Sequence, residues 1–238
     1  MTGPYVPTIP APADPSPRVN EPRSPTSSWT ALRDGNRRFV DDTPAHPRQG
    51  AKRRDELAPS QHPHSVVFGC SDSRVPAEIV FDQGLGDVFV VRNAGHVLDP
   101  SVLGTIEYGT VILGASLVVV LGHESCGAIA ATAHTLATGE EAPGFVRTVV
   151  DRVMPSVARI TAAARKRGEP EENLYNESLL RTEHVRHTVK MLHSYSVALR
   201  DRIADGSMAI VGTEYDLSTG RVHLVQVIGN VGDTVEHG

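Results

Sequence analysis

LVVVLGHESC, residues 117–126, decides the architecture. Leu117 to Leu121 is apolar at every position, which marks a parallel strand covered on both faces rather than an antiparallel strand with one wet face. His123 follows at the carboxyl end of that strand and Cys126 lies three residues further on. Upstream, the β-branched and aromatic run from His64 to Gly69 predicts another buried strand, with Cys70 at its carboxyl end.

Helical patterns fill the intervals. A helix capped by Ser27 or Ser28 would turn Trp29, Leu32, Phe39 and Val40 inward and Arg33, Asp34, Arg37 and Arg38 outward, ending before Pro44. Short helices are expected over Ala51 to Leu57 and Pro76 to Phe81, a strand over Val88 to Arg92, and a helix capped by Asp99 running to Leu113. Further helices are predicted over Ser125 to Thr138, Phe145 to Arg165 and Leu174 to Ala204, then a strand over Met208 to Gly212. Glu214 to Val227 alternates around Ser218-Thr219-Gly220 and reads as strand, turn and strand. The fold class is α/β: a mostly parallel central sheet of four strands plus an antiparallel edge strand, flanked by helices. Such sheets bind ligands at the carboxyl ends of strands where the strand order reverses, so Cys70, His123 and Cys126 meet there if the first and third strands are neighbours.

Residues 1–25 carry eight prolines and too little apolar surface to offset chain entropy, which predicts a disordered tail ahead of one domain at 26–238. A net charge of −5 gives no basic footprint for nucleic acid. No apolar run approaches the ~20 residues of a membrane span. Two cysteines make a poor disulfide framework, and with no secretory leader the expected compartment is a reducing cytoplasm.

Two thiolates and one imidazole suit Zn²⁺, and three ligands leave a fourth position open, as catalytic zinc sites do. A structural zinc site or two merely buried cysteines would use the same residues. The carboxylate Asp72 and the guanidinium Arg74 beside Cys70 favour catalysis, because a structural site closes with a fourth Cys or His and none adjoins these motifs. His184, His187 and His193 read as a solvated helix face rather than a second metal site.

C-x-D-x-R followed by H-x-x-C, within GCSDSRVPAE and GHESCGA, resembles the β-class carbonic anhydrases. The likeness extends through FVVRNAG at 89–95 and IEYG at 106–109, and the order of elements fits from about Trp29 to Gly229. It implies a zinc-dependent lyase that hydrates CO₂ reversibly to bicarbonate and a proton, with one Zn²⁺ per chain held by Cys70, His123 and Cys126. Asp72 and Arg74 become the catalytic dyad, and in a closed state of some resembling enzymes the aspartate itself binds zinc. Gln61, Phe89, Ala94 and Tyr108 fall on substrate-pocket positions, in a cleft built from two subunits of a homodimer or tetramer. The helix from Trp29 to Val40 is expected to reach across to the partner. Hydrolysis of carbonyl sulfide or carbon disulfide, or a catalytically silent bicarbonate- or zinc-binding regulator, would use the same scaffold; the intact Asp72, Arg74 and Gln61 argue against silence. Val67 stands where an allosteric group of these enzymes has tryptophan, so an open site with Asp72 turned away from the metal is expected.

Overall fold

A computed structural model describes residues 23–170 and 174–235; most of the Pro-rich tail, residues 1–22, lies outside the described residues. β1 (Ser65–Cys70), β2 (Val88–Asn93), β3 (Leu117–His123) and β4 (Ala209–Tyr215) pair in parallel, and β5 (Val222–Ile228) runs antiparallel to β4 at the edge. The order β2-β1-β3-β4-β5 makes β1 and β3 neighbours at the sheet's centre. The expected α/β sheet of four parallel strands and one antiparallel edge strand is therefore present.

Alternation along the strands fills two cores, one on each face of the sheet. Val67, Leu117, Val119, Leu121, Ala209 and Val211 point to one face. There α1 (Pro25–Val40) and α3 (Ala77–Val80) cover them with Trp29, Leu32, Ala77 and Val80. Val66, Phe68, Val118, Val120 and Ile210 point to the other face. They meet Val102 and Ile106 of α4 (Pro100–Glu107), Val185, Val189 and Leu192 of α7 (Glu177–Tyr195), and Leu199 of α8 (Val197–Ala204). A third cluster joins Cys70 and Cys126 to Ile129 and Ala133 of α5 (Gly127–Thr138), Val153 and Val157 of α6 (Val146–Lys166) and Leu180 of α7. The short α2 (Ala51–Leu57) has its expected bounds. Among the described residues, no helix is long and apolar enough to cross a membrane.

Several local expectations are corrected. Ser24, not Ser27 or Ser28, caps α1: its side chain accepts from the Ser27 amide, and Pro25 takes the first helical position, where its missing N–H costs nothing. Trp29 and Leu32 of α1 are buried in the core of their own chain. The segment expected as one helix from Leu174 divides at Ser196, whose backbone is extended and whose hydroxyl accepts from Leu199 N to start α8. Glu107, 89 residues away in sequence, accepts from the same hydroxyl at 2.5 Å and pins the break. The helix after Asp99 gives way at Tyr108 to a wider π turn ending at Ile112. Met208 to Tyr215 forms a single strand from Ala209 on, so the hairpin supplies one edge strand rather than two.

α1 crosses the loop after α3 with almost no clearance. Asn36 donates to Val80 O and Gly220 O and accepts from Val222 N, while a Cβ at Gly35 would stand 1.8 Å from the Phe81 carbonyl oxygen. Because that neighbour is backbone, Gly35→Ala is expected to lower stability by about 1–3 kcal/mol. Urea unfolding would show a lower midpoint at unchanged slope, whereas an unchanged midpoint would mean that α1 is free to shift.

Candidate metal centre

The third cluster opens at the carboxyl end of the sheet. Cys70 ends β1 and His123 ends β3, and the parallel register brings both to the same edge. From His123 the chain turns through Ser125 at φ 50°, and Cys126 stands at the N-cap of α5. The sulfurs of Cys70 and Cys126 and a ring nitrogen of His123 lie within 4.8 Å of one another, and all three residues are buried.

The donor set fits zinc. His123 Nδ1 lies 2.7 Å from the Glu124 carbonyl oxygen, which only accepts, so Nδ1 carries the proton and Nε2 keeps its lone pair. That Nε2 is buried with no hydrogen-bond partner among the described residues, as a nitrogen reserved for a metal should be. The two thiols behave as a pair. Hydrogen bonding with Cys126 pulls the Cys70 thiol below its ordinary range against the opposing cost of burial, helped by the Gly95 amide at 3.3 Å. Cys126 moves the other way, pushed up by its hydrogen bond to Cys70 and by burial. The pair thus holds one proton between two sulfurs, and a divalent ion that prefers sulfur and nitrogen donors would take that proton's place and let both ionise. Among the described residues no fourth Cys, His, Asp or Glu joins the group.

Asp72 is turned toward Arg74 in a two-pronged pair. Arg74 Nε donates to Oδ1 at 2.9 Å and a terminal nitrogen to Oδ2 at 2.7 Å, while the Arg74 backbone amide also donates to Oδ1 at 2.9 Å. The guanidinium holds the Asp72 carboxyl well below the usual carboxylate range. Arg74 also donates to Ser125 O at 3.3 Å, tying the loop after β1 to the loop after β3.

Arg92, which sequence reading passed over, grips the same loop from β2: it donates to Cys70 O at 2.8 Å and to Asp72 O at 2.6 Å. Its signal was a cation near the carboxyl end of an otherwise apolar strand. The Glu124 carboxylate accepts from Leu217 N after β4. His184 is not on a solvated face: it is 1% exposed and hydrogen-bonded at both ring nitrogens. His187 and His193 are partly exposed.

The four expected pocket residues divide. Ala94 follows Asn93, the partner of Cys70 in the β1–β2 register, and so lies at the metal end. Phe89 pairs with Val66, and its ring lies 6.2 Å from that of Tyr108. That places the aromatic pair four residues, or roughly 13 Å, back along the strands from Cys70. Gln61 is exposed ahead of β1, in a groove with Leu57, Leu85 and Gly86. In one chain, then, three of the four stand at the opposite end of the sheet from the metal donors.

A family profile described as carbonic anhydrase matches residues 65–222. A carbonic anhydrase of Mycolicibacterium smegmatis is 50% identical over 210 residues, covering 88% of this chain and 98% of that protein. Carbonic anhydrase 2 of Mycobacterium tuberculosis is 48% identical over 212 residues, covering 89% and 98%. Among solved structures, one from a study of two tetrameric β-carbonic anhydrases of Sordaria macrospora superposes with a TM-score of 0.61 at 25% identity, over 72% of this chain and 84% of that one.

Cys126→Ser exchanges a strong thiolate donor for a hydroxyl, so most bound zinc should be lost. Elemental analysis of purified protein measures this directly, and near-stoichiometric zinc in the variant would remove Cys126 from the donor set.

Proposed function

The chain belongs to the β-carbonic anhydrase family, and on that premise we propose that it hydrates CO₂ reversibly to bicarbonate and a proton with one zinc ion held by Cys70, His123 and Cys126. The reading rests on one observation: a buried three-donor cluster with the Asp72–Arg74 pair beside it. Bound there, zinc would supply Lewis acidity that makes a coordinated water more acidic, though less so than the about 7 of zinc on three neutral imidazoles, because two thiolates offset its charge.

The chain's own groups do the positioning. With its carboxyl held well below the usual carboxylate range by Arg74, Asp72 is ionised at neutral pH and so acts as an acceptor rather than the acid. Its Oδ1 takes two donors from Arg74, whereas Oδ2 takes only one. The spare lone pair on Oδ2 is free to accept from the reacting water and aim it at the carbon of CO₂. Arg92 fixes the backbone under that carboxylate while Arg74 fixes its head.

Gln61, Phe89 and Tyr108 complete the pocket of a second copy, in a homodimer or a tetramer built from it. Their distance from the metal donors of their own chain supports this. So does the exposed apolar surface at that end of the sheet, where Leu85, Tyr108, Val111 and Ile112 stand open to solvent in the single chain. We place the catalytic unit at 26–238 and the protein in the cytoplasm, where thiols stay reduced.

Stopped-flow CO₂ hydration on protein with verified zinc content should show turnover, and its absence would overturn the proposal. Arg74→Ala should leave zinc near one per chain while turnover falls about 10- to 100-fold, because the carboxylate is then free to turn away from its task. Unchanged turnover would remove the dyad's role. Co-expressing Cys70→Ala with Tyr108→Ala chains tests the shared cleft. The mixed dimer keeps one site with intact donors from one chain and an intact pocket from the other, so activity absent from each parent should reappear. No recovery in a verified heterodimer would place the pocket within one chain.

A further inference from the structure

His184 lies on α7, far in sequence from the metal loops and without contact to the reacting groups. Its ring is fully buried, with the imidazole of His96 packed on it at 4.4 Å between centroids. His184 Nε2 lies 2.8 Å from Gly95 O, and because a carbonyl only accepts, Nε2 carries the proton. Nδ1 lies 2.9 Å from the Ser156 hydroxyl on α6, which donates to it. Burial drives the His184 pKa down to about 4, so the ring stays neutral and keeps the Nδ1 lone pair for Ser156.

On its other side Gly95 donates its amide to Cys70 Sγ at 3.3 Å. Gly95 has φ 69°, and a Cβ there would stand 2.6 Å from Ala128 Cβ, so only glycine fits. A glycine leaves the two peptide planes flanking its Cα free to turn. Holding its carbonyl removes part of that freedom, and Asn93, bonded through its side chain to Val97 N and Val97 O, closes the rest of the turn. We propose that His184, braced by Ser156, is a positioning residue for the metal centre: through Gly95 it fixes the amide that hydrogen-bonds the Cys70 sulfur. An amide on a thiolate sets its direction and draws charge from it, the effect by which partners of metal ligands tune affinity.

This inference rests on zinc occupying the Cys70 site, and the experiment separates the two. Zinc affinity is measured by chelator competition, and sulfur electronics by the sulfur-to-metal charge-transfer band of the cobalt(II)-substituted protein. His184→Ala should bind zinc about 10-fold more weakly and move the band to lower energy, as the sulfur regains charge. His184→Gln, whose side-chain amide can donate to Gly95 O, should return both toward the wild type. Val189→Ala, a core truncation on the same helix, should lower the melting temperature with wild-type zinc affinity. Wild-type affinity and band position in His184→Ala would overturn the role of His184, as would equal weakening in Val189→Ala. Should His184→Ala fail to fold, Ser156→Ala decides: a smaller weakening in the same direction supports the chain of bonds, and none overturns it. A wild-type protein that binds no zinc would instead sink the metal assignment itself.

Discussion

Parallel pairing of β1 with β3, in the register Ser65↔Leu117 through Gly69↔Leu121, is the constraint on which everything else depends. Parallel neighbours end at the same edge, so strand pairing alone delivers Cys70 and His123 together, and the Arg74 bond to Ser125 O then ties their loops. The register is held by packing on both faces. A one-residue slip would turn Val66 and Phe68 of β1 away from Val118 and Val120 and into the opposite core, where Trp29, Leu32 and Phe81 already fill the space. The hydrophobic effect, which carries no chemical information about metals, thus fixes where the metal donors stand.

At that edge the constraint changes from packing to charge. Two thiols and an imidazole converge in a buried corner, and the energetic problem is negative charge on buried sulfur. Arg74 is half exposed, so its pair with Asp72 adds little to global stability. Its effect is directional: it keeps Asp72 anionic and fixes which oxygen has a lone pair to spare. Arg92 does for the backbone of the same loop what Arg74 does for the side chain, and the Gly95 amide does it for the Cys70 sulfur. Donors reach the loop from β2, from the turn after β2 and from the loop itself, so it cannot relax without breaking several at once.

The same sheet separates three of the expected pocket residues from the metal donors. Strand direction sends the ligands to the carboxyl edge, while Phe89 and Tyr108 pack near the strand starts, where the chain leaves exposed apolar surface. No rotamer change spans roughly 13 Å, so within one chain those residues do not reach the metal donors, which is the ground for proposing that they serve a second copy.

Much of this was legible in the residues. The unbroken apolar run Leu117 to Leu121 determined a doubly covered parallel strand, because only such a strand tolerates five buried side chains in succession. Cys70, His123, Cys126, Asp72 and Arg74 were readable because their spacing carries chemistry by itself, and Asp99 because a cap is a contact within one turn. What failed were features whose partners lie far off in sequence. Ser196 breaks a long helical pattern through a bond to Glu107, and His184 looks like any polar residue on a helix until Gly95 and Ser156 supply its bonds. Arg92 earns its role only when β2 lies beside β1, and the amino-end position of Gln61, Phe89 and Tyr108 depends on strand pairing. Local pattern and spacing therefore determined the fold class and picked out the three residues that cluster as candidate donors. Tertiary structure alone decided the groups that brace those donors and the end of the sheet each pocket residue occupies, because a hydrogen bond or a register exists only between segments that folding brings together.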